Sequence, residues 1–320
     1  MNDIRQSIEY ANFLKKNGWI VLKIDESKNS LAFVWKTTCN TFNLLQLHRN
    51  SEIEDFEVIN KIIKKYKIAY VRIEANINED NKIIQNKLLE NNFKISKWIQ
   101  NPTATQIINL NKPLKIIFKE LKSSKRHILR AKRNKLKIEN INGKKVKQNK
   151  LKIKEILNFF YNHEKEKKLA HYPKTWIHDL IDSFKEKSHF IVAYNNKKEI
   201  ISAGFFLESN DTMFYIKGSG NKEGYKKDSF YLLMWQAIEI AKKRKLKYFD
   251  FEGVYDERHH EYTNSWKGFT QFKKSFGGQE RKLLPAYEKI IKKDLNIKDK
   301  ILKKIFLRKF LPNVYMVYSN

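Results

Sequence analysis

The stretch Lys247–Gly278 reads KYFDFEGVYDERHHEYTNSWKGFTQFKKSFGG, and its two ends differ in kind. It opens on a short β-type run, Tyr248-Phe249-Asp250-Phe251, that gives way to acid and glycine. It closes on an aromatic and basic run, Phe269, Phe272, Lys273, Lys274 and Phe276, that stops at Gly277-Gly278. Between them lies a polar loop with Asp256, Glu257, Arg258, His259 and His260. A strand that ends in a carboxylate and feeds a loop dense in ionisable groups is how a pocket at a sheet's edge is built. In this reading the histidine-bearing loop is a lid and the plainer FKKSFGG run carries the chemistry.

Upstream, alternating and apolar runs predict strands at His189–Tyr194, Glu199–Leu207 and Asp211–Lys217. A loop at Gly218–Asp228 and a helix at Ser229–Lys243, capped by Asp228 or Ser229, lead to the strand at Tyr248. Strand, loop, helix and strand from Asp211 to Phe251 form the core of the N-acetyltransferase type of acyl-transfer fold. Acyl-CoA users of that fold carry Q/R-x-x-G-x-G/A in the loop, where backbone N–H groups hold a pyrophosphate. Here the loop reads GSGNKEGYKKD, which has glycines but not that pattern.

The first half shows the same mixture. Residues 4–17 predict an amphipathic helix stopped by Gly18, followed by strands at Trp19–Ile24 and Leu31–Lys36. A helix at Phe56–Tyr66, a buried strand at Ile68–Glu74 and a helix at Lys82–Asn91 come next, then a strand pair at Phe93–Ile99 and Thr105–Leu110. Pro113–Asn134 reads as one basic helix with Pro113 in its first position. The polar stretch 141–150 is the domain boundary of choice. The expectation is an α/β protein of two tandem acetyltransferase-like (GNAT-like) domains, 1–148 and 149–284, with a groove between them. A helix at Leu283–Leu295 and a basic apolar tail at Ile301–Tyr318 return to the first domain.

Lys and Arg number 65 against 35 Asp and Glu, a net charge of +30 spread along all 320 residues. Such a field attracts polyanions: nucleic acid, anionic lipid or a phosphorylated substrate. Codon bias toward lysine accounts for the lysine count better than for the shortage of acid. The single cysteine, Cys39, excludes an internal disulfide and a cysteine-based metal or iron–sulfur site, and reads as a structural thiol. No apolar run approaches the roughly 18 residues of a membrane span, which together with the polar N-terminus points to a cytoplasmic protein, with peripheral membrane contact left open for its basic faces.

Together these segments resemble the FemAB family of aminoacyl-tRNA-dependent transferases, which extend the peptidoglycan stem peptide. Ile4-Arg5-Gln6-Ser7 with Gly18-Trp19, Tyr70-Val71-Arg72-Ile73-Glu74, and Gln100-Asn101-Pro102-Thr103 with Thr105 and Leu110 are similar to its first-domain segments. Lys125-Arg126 and Ala131-Lys132-Arg133 look like its basic helix. Tyr248–Val254 is similar to the family's YDFGG-I/V motif, with Glu252 in place of the usual glycine, and Gly268–Gly278 is similar to G-L/I-Y-x-FKKGFGG. The resemblance implies an aminoacyl-tRNA donor, a UDP- or lipid-linked muropeptide acceptor and no cofactor. The competing readings are an acyl-CoA-dependent N-acyltransferase of a surface sugar or lipid precursor, and a non-catalytic module that binds RNA or membrane.

Aminoacyl transfer needs a neutral, aligned amine and a stabilised tetrahedral oxyanion. By match to the FK motif, Lys273 is the cation for that oxyanion, with Lys274 as the second substrate-contacting lysine. On a strand the two would point to opposite faces. Asp250 reads either as the group that takes a proton from the amine or as a turn carboxylate. Tyr215 and Phe272 read as substrate-lining rings, and Lys125 and Arg126 as phosphate contacts. Adjacent histidines on a loop rarely converge on one ion, so no metal is assigned.

Overall fold

The computed structural model describes residues 2–25, 30–36, 43–51, 53, 55–167 and 175–291. Cys39 and the tail at 301–318 lie outside them. The chain forms two compact units. One contains Asn2–Thr103, Asp256–Asn264 and the chain from Lys282; the other contains Ala104–Tyr255 and Ser265–Arg281.

In the first unit α1 (Ile8–Lys16) is capped by the Ser7 side chain and ends at Gly18, where φ is +83°, a conformation glycine adopts without strain. Then come β1 (Ile20–Asp25), β2 (Ser30–Trp35), β3 (Asn43–Asn50), α2 (Phe56–Lys65), β4 (Ile68–Ala75), α3 (Lys82–Glu90) and the two-residue β5 (Lys94–Ile95). The six-stranded sheet runs β1, β2, β3, β4, a late strand at Tyr287–Ile290, then β5. β3 and β4 are parallel, and Val71, Ile73, Leu45, Ile59 and Leu88 fill the core beside them. Over 283–291, the described part of the helix expected at Leu283–Leu295, the chain is instead extended: Leu283 bridges Asn78, and Tyr287–Ile290 pairs antiparallel with β4. Pro285 supplies the reason, since it holds Leu284 out of the helical region.

The second unit begins with β6 (Ala104–Asn109), α4 (Leu114–Glu120), α5 (Ser124–Arg133), β7 (Lys137–Asn142), α6 (Gly143–Gln148), α7 (Lys150–Glu166) and α8 (Thr175–Phe184). It continues with β8 (Ser188–Tyr194), β9 (Ile200–Ser209), β10 (Thr212–Gly220), α9 (Lys222–Lys226), α10 (Ser229–Lys243) and β11 (Tyr248–Gly253). After α11 (His260–Thr263), which lies in the first unit, α12 (Lys267–Lys274) and β12 (Gln279–Lys282) complete it. The seven-stranded sheet runs β12-β6-β11-β10-β9-β8-β7. Leu233, Met234, Ala237, Ile238 and Ala241 form the apolar stripe of α10 and are fully buried with Phe206, Met213 and Phe249. Each large side chain so buried is worth about 1.5–3 kcal/mol.

The chain leaves the first unit at Thr103/Ala104, not at the polar stretch expected as the boundary near 148. That stretch contributes to β7, which pairs with β8 along its whole length at the sheet's edge, and edge strands are polar where they face water. The strand pair expected at 93–99 and 105–110 does not form either, because β5 and β6 belong to different sheets. The single basic helix expected from Pro113 is two, with Pro113 as the N-cap of α4 and a break at Leu121, whose ψ is 136°.

Candidate active site in the second unit

β10 and β11 are parallel, and they pair only through Thr212–Tyr248, Met213–Phe249 and Phe214–Asp250. Beyond that rung each strand carries a bulge. On β10 the register with β9 slips between Tyr215 and Lys217; on β11 the register with β6 slips between Asp250 and Gly253. An extra residue bends a strand away from its neighbour. The pair therefore parts at its carboxyl ends, the place where open α/β sheets bind ligands.

Lys273 lies over this gap. It sits on α12, not on a strand, so Lys273 and Lys274 are about 100° apart around a helix. Lys273 is 6% exposed, and its Nζ donates to the Gly253 carbonyl at 2.5 Å. The Nζ is 5.6 Å from the Tyr215 ring centre and 4.9 Å from that of Phe269. Burial draws its ammonium pKa down to about 8, against the opposing charges of Glu252 and Asp250. Lys274 points elsewhere and pairs with Glu280.

The Asp250 carboxylate accepts from the Thr105 hydroxyl and, at 2.7 Å, from the Glu252 N–H. These bonds tie the carboxylate across the β11 bulge. Glu252 occupies the bulge with φ +59°, in the left-handed region that costs a side-chain-bearing residue about 1–2 kcal/mol. That geometry is why glycine suits this position, and Glu252 departs from it while staying buried. Neither Thr105 nor Glu252 was singled out as a site residue in the sequence. The signal for Glu252 was present, as a mismatch at a glycine position.

Tyr215 packs between Phe206 and Phe230, and burial pushes its phenol pKa up. Phe272 meets Phe230, Tyr231 and Phe276, so it belongs to the aromatic wall behind Lys273. His127 stacks on Tyr231 at 4.2 Å between ring centres and, with Arg130, binds the Asp228 carboxylate. Asp228 stands at the N-cap of α10, as one of the two expected cap residues, but its side chain makes no cap hydrogen bond there. Lys125 is partly buried, with its ammonium 5.7 Å from the Phe118 ring centre, and Arg126 is exposed. Gly277 and Gly278 both have φ near +75°, and a Cβ at Gly278 would lie 2.2 Å from the Ile107 carbonyl oxygen, so the double glycine lets the chain cross β6 at close range.

The loop after β10 is not open. Asn221 caps α9 through the Gly224 N–H, and the N–H groups of Asn221, Tyr225, Lys227 and Asp228 donate to Ile201, Asn221, Glu223 and Tyr225 carbonyls. Lys217, on the parted section of β10, is ion-paired with Glu164 of α7.

The resemblance residues of the first unit meet in a buried polar network. Arg72 bonds Glu74, Ser96 Oγ at 2.9 Å and the Trp98 carbonyl at 3.1 Å; Glu74 accepts from Asn101, which accepts from Arg5 Nε at 2.9 Å. Asp256, in the loop expected as a lid, is buried in the same unit. Burial favours protonation of Asp256, yet Arg258 and Thr103 hold its pKa down to about 2. Among the described residues no His, Cys, Asp and Glu groups stand together as a metal site, and no helix is long and apolar enough to cross a membrane.

Residues 111–285, more than half of the chain, match the profile of a FemAB-like family described as peptidoglycan biosynthesis/recognition. No curated protein sequence matches the chain. Among solved structures, FemX aligns over 95% of this chain and 94% of its own at a TM-score of 0.74 and 12% identity. L-PGS from Bacillus licheniformis aligns over 95% and 96% at a TM-score of 0.60 and 10% identity. A tandem GNAT protein from the clavulanic acid biosynthesis pathway aligns over 82% and 78% at 0.50 and 5%. At these identities the likeness is one of fold, and the fold is that of tandem GNAT-like domains.

Proposed function

The chain belongs to the FemAB-like family of peptidoglycan biosynthesis and recognition and is an acyltransferase; on that premise we propose that it moves an amino acid from aminoacyl-tRNA to an amine of a peptidoglycan-precursor stem peptide, UDP- or lipid-linked. The observation that carries this reading is Lys273, a buried lysine held over the parted ends of β10 and β11 with two acids beside it.

The acceptor's neutral amine attacks the ester carbonyl carbon and pushes the carbonyl electrons onto oxygen. The Lys273 ammonium, in a site of low dielectric, lies against that oxygen and stabilises it. Collapse breaks the bond to the ribose oxygen, which leaves with the proton that the amine gives up. Asp250 acts as a positioning residue, keeping the bulge closed and the Gly253 carbonyl under Lys273. Tyr215 and Phe272 hold the aminoacyl end against the aromatic wall. The ester is already activated, so no resident cofactor enters the reaction.

An acyl-CoA donor is the rival. What supports tRNA over it is the loop after β10, whose N–H groups at Asn221, Gly224, Tyr225, Lys227 and Asp228 are engaged within the chain and whose sequence lacks the pyrophosphate pattern. The test is transfer of a labelled amino acid from charged tRNA to UDP-muropeptide by the purified protein. Turnover of acyl-CoA with no transfer from tRNA would overturn the proposal.

A further inference from the structure

The helical pair α4–α5 carries a surface that the reacting groups do not use. From Lys112 to Lys137 the chain holds eleven Lys and Arg and one acid, Glu120. Lys112 pairs with that acid, Arg130 with Asp228 and Lys137 with Glu139. Among the described residues no carboxylate pairs with Lys119, Lys122, Lys125, Arg126, Lys132 or Arg133, and all but the half-buried Lys125 are exposed. Ile117, Leu121, Ile128 and Ala131 are buried in the core of the second unit, while Ile116 and Leu129 are exposed. A face this dense in cations, with only two exposed large apolar side chains, suits a phosphate backbone better than insertion into a bilayer.

The surface is also tied to the site. The Lys122 N–H and the Ser124 hydroxyl both donate to the Ser275 carbonyl, at 2.9 and 2.7 Å, two residues from Lys273. The stack of His127 on Tyr231, and of Tyr231 edge-on to Phe272, runs from α5 to the residue before Lys273. The α4–α5 surface and the segment that carries Lys273 are therefore packed as one piece.

We propose that the exposed face of α4–α5 is the docking surface for the backbone of the donor RNA, which it holds so that the aminoacylated end reaches Lys273. This rests on the aminoacyl-tRNA reading. The test is a full-length variant, K119Q/K122Q/K132Q/R133Q, whose melting temperature is checked against the parent. Uncharged tRNA should bind the variant at least about tenfold more weakly at ~150 mM salt, and the slope of log K against log salt should fall by roughly 0.9 for each lost contact. Transfer from full-length aminoacyl-tRNA should fall at least about tenfold relative to transfer from a short aminoacylated 3′-end fragment. Equal tRNA binding by variant and parent, or loss of binding only to phosphatidylglycerol vesicles, would overturn the docking surface and in the second case assign the face to a membrane. Failure of the unaltered protein to transfer from either donor would overturn the donor reading itself.

Discussion

The Nζ of Lys273 donates to the carbonyl of Gly253 at 2.5 Å, so the cation is anchored to the residue that closes the β11 bulge. The shape of the bulge and the position of the charge are one variable. Asp250, through the Glu252 N–H and the Thr105 hydroxyl, sets both.

Replacing Lys273 with Ala should lower kcat/KM for transfer at least about tenfold, a loss of ~1.4 kcal/mol in transition-state stabilisation. Lys273→Met, which keeps the buried stem, should lose activity equally while staying folded. An unchanged rate in either would remove Lys273 from the mechanism.

With the Lys273 pKa drawn down to about 8, the rate should fall as pH rises through about 8 and the cation is lost. Any activity left in Lys273→Arg should lack that descending limb, since guanidinium does not titrate there. Stability moves the other way. Between about pH 8 and the ordinary lysine value near 10.5 the unfolded chain binds the extra proton, so this group makes the fold more stable as pH rises through that window. Below pH 8 its full cost is present. Melting curves of parent and Lys273→Met across pH 7–11 would show the difference, and parallel curves would refute it.

Glu252→Gly should relieve the strained φ and raise stability by about 0.5–1 kcal/mol, a gain of roughly 1–4 °C in Tm. Because Glu252 is the foremost charge opposing the fall in the Lys273 pKa, the descending limb of the rate should shift to lower pH. A limb that stays in place would mean that Glu252 does not act on Lys273.

Thr105→Val keeps the shape and deletes one donor to a buried carboxylate, which should cost about 1.5–3 kcal/mol. The rate should fall with it, because the bulge and the Lys273 anchor loosen together. Full activity in a destabilised Thr105→Val would separate the bulge from catalysis.

Periodic segments were readable from the chain alone because short-range pattern decides them: β8 to β10, α10 and β11 lie within a few residues of their expected bounds. The errors share a cause. Leu283–Leu295, the 148 boundary and the strand pair at 93–110 all turn on which distant strand a segment joins, and local pattern carries no information about that. The quoted Arg5, Arg72, Glu74 and Asn101 were legible as a resemblance but not as one buried network, since up to 96 residues separate the partners.

By itself, then, the sequence determined the acyl-transfer architecture of the second unit, because periodicity and motif spacing are local properties. The tertiary structure alone decided that Lys273 rides a helix, that the Asp250 carboxylate is tied across a bulge, and that Asp256 of the histidine-rich loop is buried in the other unit. Those facts depend on hydrogen bonds between residues tens to hundreds of positions apart, such as Thr105 with Asp250 and Thr103 with Asp256, which exist only once the chain has folded.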